Sequence, residues 1–318
     1  NGLPLMGTGD WNDGLDEIGS KGKGESVWLG FFLYYILKEM LPVIERKEGA
    51  GRKAHYVGKM KDLAAALEKT WRDDRYLRAI HDNGTEIGIK GSGVWEIDAL
   101  TAAWSVMTGI NFERGVTIFK TALSVLERGS VILLGWPALR EDTKPYLGRS
   151  SKYPEGVREN GMYCHGVQWL VRAARLLAEE FEKRGDHAKA DEYRATAYRL
   201  WLKISPLAHV TPQEIEIYGG QPNKQPADFL TTFEPGRMIW NGYTGAAGWM
   251  LRQAFEGVAG AMLLHNELLL PEDLDKPRGD LRISRIQRDV EKSPFKSATS
   301  TFSKSRVGVL PPEVKAAY

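Results

Sequence analysis

The chain has 318 residues, with 43 Lys+Arg against 41 Asp+Glu, 42% hydrophobic residues and a formal net charge of +2. That near-balance lacks the basic footprint of a nucleic-acid binder, and the one cysteine, Cys164, excludes an internal disulfide framework and a cysteine-based zinc site. The composition is that of an ordinary soluble globular protein, expected in a reducing, cytoplasmic compartment.

Residue 1 is Asn in a Gly-rich opening, which reads as a piece of a longer protein. From Ser26 to Arg46 apolar positions wrap almost the whole circumference, predicting a helix buried nearly all round. Its unbroken apolar run, Val27 to Leu37, is well short of the ~20 residues of a membrane span, so no membrane segment is expected. Ala54 to Asp74 puts Val57, Met60, Leu63, Ala64, Leu67 and Trp71 at steps of three and four, as an outer helix would. Asp82-Asn83-Gly84 predicts a hairpin within Tyr76 to Ile89. Trp95 to Thr108 predicts a buried helix ending at Gly109, and Phe112 to Arg128 an amphipathic one.

Gly135 to Asn160 is rich in Gly, Pro, Ser and charge and too long for a plain connection, so a site loop is expected there. Met162 to Lys183 and His187 to Lys203 predict a third helix pair, followed by an irregular stretch, Ser205 to Gly242, and a helix from about Ala246 to Phe255. Three buried and amphipathic pairs joined by long loops predict an all-α fold over residues 1–258, about half of an α/α barrel. Extended runs at Met262 to Leu270 and Leu281 to Ile286 predict a short β-strand extension over 259–292, and the composition of 293–318 predicts a weakly ordered tail.

Three segments carry candidate chemistry. Gly7-Thr8-Gly9-Asp10-Trp11-Asn12-Asp13-Gly14 sets two carboxylates, an amide and an indole on a glycine-flexible turn. That suits a sugar: indole against the ring, polar groups on hydroxyls, a carboxyl to move a proton. An Asx turn with an incidental Trp is the plainer alternative. A calcium loop counted from Asp10 fails, because Leu15 and Lys21 stand where Gly and Glu are required.

Arg158-Glu159-Asn160-Gly161-Met162-Tyr163-Cys164-His165 opens a helix, where a first-turn His can donate to an anion that also feels the helix dipole. A packing histidine is the alternative. Cys164 and His165 are adjacent and point about 100° apart on a helix, so no Cys/His nucleophile pair is expected. Trp240-Asn241-Gly242-Tyr243-Thr244-Gly245-Ala246-Ala247-Gly248-Trp249 offers a hydroxyl and free N–H groups at a small-residue helix start, either an anion cradle or a close helix contact. The six histidines show no metal spacing, and phosphate-loop, dinucleotide, zinc-protease and nucleophile-elbow motifs are missing.

In this order, GTGDWNDG, GESVWLGFFL, VRENGMYCHGVQW and WNGYTGAAGW resemble glycoside hydrolase family 94, the cellobiose, chitobiose and β-1,2-glucan phosphorylases with the C-terminal module of cyclic β-1,2-glucan synthases, over about residues 1 to 260. The resemblance implies an (α/α)6 barrel of which this stretch is the second half. The first half, with a phosphate-binding arginine and much of the acceptor subsite, is implied to precede it. Asp13 inherits the role of general acid. Trp11 lines the sugar subsite with Asp10 and Asn12 beside it, and Glu159 lies near the donor sugar. His165, Thr244 and Gly245 inherit phosphate binding.

The implied reaction is inverting phosphorolysis of β-linked glucosides to α-sugar 1-phosphates, with inorganic phosphate as co-substrate and no other cofactor. The implied partners are a β-linked oligosaccharide, phosphate, the missing half of the barrel and, since the family often forms homodimers, a second copy. This stretch by itself is not expected to be a competent enzyme. Two alternatives stand beside this reading. An inverting hydrolase would use Glu159 as base, the two carboxyls roughly 6.5–9.5 Å apart. A non-catalytic glucan-binding or chain-length-setting module of a synthase would bind without turnover. The segment Pro271 to Pro277 departs from the family pattern, which leaves linkage and acceptor open.

Overall fold

The computed structural model describes residues 1–260 and two strands, 262–264 and 267–269. Among the described residues the chain is mainly helical: α1 (Val27–Glu48), α2 (Ala50–Glu68), α3 (Ala99–Thr108), α4 (Phe112–Leu126), α5 (Cys164–Lys183), α6 (His187–Ile204), α7 (Pro212–Tyr218) and α8 (Thr244–Gln253). Asn1–Val258 forms one compact unit, and a second begins at Ala259. In the second, Met262–Leu264 and Glu267–Leu269 pair antiparallel. The expected strand Leu281 to Ile286 and the expected tail 293–318 lie outside the described residues.

The helices form two layers. α1, α3, α5 and α8 are neighbours in that order, while α2, α4 and α6 back α1, α3 and α5. The expected pairing of helices is therefore present. α3 is buried along its whole length and α5 along most of it. Trp28, Trp104 and Trp169, one from each of α1, α3 and α5, meet ring to ring at 5.1–6.1 Å. Such aromatic pairs add about 0.5–1.5 kcal/mol each beyond the area they bury.

α1 departs from the expectation of burial all round. Val27, Trp28, Gly30 and Phe31 are buried, but Leu33, Ile36 and Met40 are 38–43% exposed. The reason is position: α1 ends the row, so one flank meets no helix among the described residues. At 22 residues α1 is by length and composition apolar enough to cross a membrane, yet its first turns are fixed in the aromatic core.

Other boundaries move for local reasons. The helix expected to reach Asp74 stops at Glu68, where the Thr70 hydroxyl donates to the Leu67 carbonyl at 2.7 Å. Asp73, at φ 50°, then turns the hairpin of Trp71–Arg72 with Arg75–Tyr76. Trp95 stays outside α3, because Asp98 takes the N-cap, accepting from the Thr101 N–H at 2.7 Å. Gly109, at φ 69°, ends α3 as expected. The stretch 205–242 is not wholly irregular, since α7 forms inside it on a Thr211/Glu214 capping box with Pro212 in its first turn.

One device recurs three times. The two-residue strands Glu25–Ser26, Ile97–Asp98 and Met162–Tyr163 directly precede α1, α3 and α5. They pair antiparallel with Ala79–Ile80, Gly135–Trp136 and Asp228–Phe229, each from the connection that follows the helix pair. Every long loop is thus pinned at the N-terminal end of its own inner helix, which is where the site forms.

Candidate active site

The Gly7–Gly14 turn is anchored by its first carboxylate. Asp10, with no side-chain exposure, accepts two hydrogen bonds from Arg78 at 2.7 and 2.8 Å, one from the Ser26 hydroxyl at 2.6 Å and one from the Asn12 N–H at 2.9 Å. Arg78 reaches on to Asp98 at 3.2 Å. Ser26 and Asp98 are the N-caps of α1 and α3, so one guanidinium ties the turn to two helix starts. Despite full burial, these two carboxylates hold Arg78 further above its ordinary pKa. The Asp10 carboxylate, expected on the substrate side, has its oxygens committed to these scaffold partners.

With Asp10 fixed, the next three residues face a pocket of about 190 Å³ lined by Trp11, Asn12, Asp13, Glu159, Tyr163 and His165. The Asn12 Oδ1 accepts from the Gly14 N–H at 3.2 Å and the Ser150 hydroxyl at 3.4 Å, while its Nδ2 is buried without a partner. A Cβ at Gly14 would sit 1.9 Å from Ser150 Oγ, so a larger residue there requires that hydroxyl to move. Asp13 stands at the rim, its side chain 76% exposed, paired with Arg149 Nη2 at 2.6 Å.

Arg149, Ser150 and Glu159 come from the long loop 135–160, as expected of a site loop. Asn160 braces it: the side-chain amide donates to the Tyr153 and Leu139 carbonyls at 2.7 and 3.0 Å and accepts from the Leu139 N–H at 2.8 Å. Glu159 is buried, and one of its carboxylate oxygens has no partner. Burial, helped by the Asp13 charge, raises its pKa against the opposing pull of Arg158. Burial also pushes the Tyr163 phenol up to about 12.

His165 sits in the first turn of α5. Its Nδ1 accepts from the Trp11 indole N–H at 3.4 Å, which leaves the ring proton on Nε2, a buried atom without a partner. Burial lowers its pKa to about 4, so the ring is neutral at pH 7. Across from it lies α8: a Cβ on Gly245 would come 3.2 Å from His165 Cε1. The N-caps of α5 and α8 are Tyr163 and Tyr243, and neither side chain makes a capping bond. Thr244 opens α8 on the surface. Trp11 is wedged edge-on between Tyr163, His165 and Trp169, with centroids 5.3–5.5 Å apart.

The fold therefore gathers Trp11, Asn12, Asp13, Glu159 and His165 at one pocket, sets Gly245 against His165, and keeps Asp10 out. Three neighbours escaped the sequence reading. Tyr163 lines the pocket, Arg149 pairs with Asp13, and Arg158 holds its guanidinium 3.6 Å from Glu159. Tyr163 and Arg158 stood inside a motif already singled out, whereas nothing local marks Arg149.

A family model described as the glycosyl hydrolase 94 superfamily, catalytic domain, matches residues 1–260. The cyclic beta-(1,2)-glucan synthase NdvB of Rhizobium meliloti is 34% identical over 277 residues, covering 85% of this chain and 9% of that protein. Two proteins of Paenibacillus borealis also match. Solabiose phosphorylase is 28% identical over 81% of this chain and 32% of its own length. 3-O-beta-D-glucopyranosyl-beta-D-glucuronide phosphorylase is 26% identical over 84% of this chain and 33% of its own length. The chain thus spans no more than about a third of any of these three relatives. With residues 11–13 and 159–165 meeting at one pocket and a match that runs through both, the chain belongs to the glycosyl hydrolase 94 superfamily.

Proposed function

We propose that this chain supplies the acid and the phosphate-binding groups of an inverting glycoside phosphorylase acting on β-linked glucosides or β-glucan oligosaccharides. The observation that carries the reading is convergence. One small pocket has an exposed carboxylate at its rim and, on Asn12, Glu159 and His165, three buried polar atoms without partners among the described residues. Such atoms are costly to leave unmet and are expected to meet a ligand. The names of the two Paenibacillus relatives support phosphorolysis over hydrolysis.

The geometry supports the following chemistry. Asp13, protonated, gives its proton to the glycosidic oxygen as the bond from that oxygen to the anomeric carbon breaks. The leaving sugar departs as an alcohol. Phosphate, already anionic, attacks the anomeric carbon from the opposite face, so no second carboxylate is needed to activate it. The product is an α-sugar 1-phosphate. The Asp13–Arg149 pair has to open for this step, and the acceptor sugar is the natural competitor for Arg149. His165 donates from Nε2 as a neutral ring, and the side-chain-uncapped starts of α5 and α8, with Thr244 and Gly245, add N–H groups and dipole to hold the anion.

The same reading makes the two-layer row the second half of an (α/α)6 barrel. Exposed apolar flanks at its two ends support this: Leu33, Ile36 and Met40 on α1, and Leu251 on α8. In a closed ring these would be covered by the preceding helix pairs. The 34% identity to NdvB favours a second reading, a glucan-binding or chain-length-setting module of a synthase. One experiment separates them: the whole protein is incubated with β-linked gluco-oligosaccharides, with and without inorganic phosphate, and followed by phosphorus NMR. A phosphate-dependent α-anomeric signal carries the phosphorylase. Sugar release without phosphate assigns a hydrolase, and binding without turnover assigns the module.

A further inference from the structure

Arg158 is built into the site in a way that packing alone does not require. Its backbone takes φ 56°, a left-handed conformation that is strained for a non-glycine residue. Its guanidinium is boxed by three rings, Trp240 at 4.4 Å, Tyr163 at 5.4 Å and Tyr153 at 5.5 Å. Nε and Nη1 are buried without hydrogen-bond partners among the described residues, and Nη2 lies 3.6 Å from the Glu159 carboxylate. The Tyr243 side chain is a further partner of the guanidinium. Trp240 and Tyr243 belong to the segment that leads into α8, and Tyr243 is its N-cap. Asp228, in the strand paired with Met162–Tyr163, holds the Trp240 N–H at 3.3 Å and so fixes that segment against Arg158.

Glu159 in the pocket and the start of α8, 85 residues further along the chain, thus share one cation. Glu159 belongs to the sugar side, and the Thr244–Gly245 start of α8 to the anion side. We infer that Arg158 is a positioning residue that locks Glu159 to the start of α8, so that the sugar and phosphate halves of the pocket are set together. The inference rests on the roles proposed above for Glu159 and α8. A guanidinium suits the task because it is planar, always charged, and stacks on rings while its edge reaches a carboxylate. Lysine has the charge without the plane.

The test uses the whole protein, with β-linked gluco-oligosaccharides and inorganic phosphate as probes. Arg158→Ala is expected to raise KM for saccharide about tenfold and KM for phosphate several-fold, with a smaller effect on kcat. Arg158→Lys is expected to recover less than half of either loss. In a double-mutant cycle on saccharide affinity, read by tryptophan fluorescence, Arg158→Ala is expected to add nothing to Glu159→Gln. Additive losses, or a saccharide effect with unchanged phosphate KM, would overturn the inference. Should Arg158→Ala not fold, Tyr243→Phe removes one hydroxyl from the anion side, and the inference requires it to weaken saccharide binding as well. A Tyr243→Phe effect confined to phosphate would sink it. If no substrate turns over, the phosphorylase reading fails, while the fluorescence cycle still decides the role of Arg158.

Discussion

The starts of α1 and α3 and the starts of α5 and α8 are finished in opposite ways. At the first pair Ser26 and Asp98 cap the helices, Arg78 joins them to Asp10, and the carboxylates of Asp10 and Asp98 are met from within. At the second pair tyrosines stand at the N-caps without capping bonds, and His165, Glu159 and Asn12 each keep a buried polar atom without a partner. The Gly7–Gly14 turn spans both, with Asp10 in the satisfied network and Asp13, three residues on, exposed at the pocket. The lesson is about free energy. A buried charge network that closes on itself is architecture, because removing a partner strands a charge. A set of polar atoms left open is held for something that arrives from outside.

Five substitutions can break or sharpen this contrast. Asp13→Asn in the whole protein is expected to lower phosphorolysis of an unactivated saccharide by about 10²–10⁴, the usual worth of a general acid. A glucoside with an activated leaving group is expected to recover part of that loss, and a wild-type rate on the natural sugar would remove Asp13 from the role. On the architectural side, Arg78→Ala leaves Asp10 and Asp98 buried without their cation, and is expected to destabilise by about 3–5 kcal/mol in denaturant titration. If Asp10→Asn left stability intact and abolished turnover, the division between the two carboxylates would be wrong.

Asp228 sits on the open side, fully buried, and burial lifts its pKa from 3.8 to about 6. The sign follows: the folded state binds this proton more tightly than the unfolded one. The stabilisation is complete below about pH 4 and is lost as pH rises through about 6, a swing of about 3 kcal/mol at 1.36 kcal/mol per unit. Thermal denaturation of Asp228→Asn across that window is expected to be flatter than that of the parent; an unchanged slope would exclude Asp228 as the source. The smallest effect is expected at His165. His165→Ala is expected to weaken apparent phosphate affinity about tenfold, worth about 1.4 kcal/mol. With its pKa near 4, the imidazole contributes no inflection in phosphate affinity between pH 5.5 and 8. An inflection near 6.5 that disappears in His165→Ala would show a charged rather than a neutral donor.

Much of the helix pattern was legible in the chain. The limits of α4, α5 and α6 fall within two residues of the periodicity, because each helix carries its own apolar stripe and most of the ends are marked locally, as by Asn111 and Asp186 at the N-caps of α4 and α6. The strands that pin the loops were not legible. They are two residues long, too short to show alternation, and exist only because a distant segment pairs with them. The α1 misreading has the same root: an apolar circumference states what a helix can bury, and only its neighbours decide how much it does.

For the site, the residues of the Asp10–Asp13 turn, the Arg158–His165 segment and the Tyr243–Gly245 helix start were visible as chemistry, since carboxylates, amides, aromatic rings and small residues cluster there. Which of them act as site and which as scaffold was not. Asp10 and Asp13 are the same residue type in the same turn, and no local property separates them. The distinction comes from Arg78, 68 residues from Asp10, and Arg149, 136 residues from Asp13, brought close by the packing of helix pairs. The sequence by itself determined the helices, their pairing and the inventory of reactive groups, because those depend on neighbours along the chain. The tertiary structure alone decided which carboxylate is buried and satisfied and which is left at the rim, because desolvation and ion pairing depend on neighbours in space.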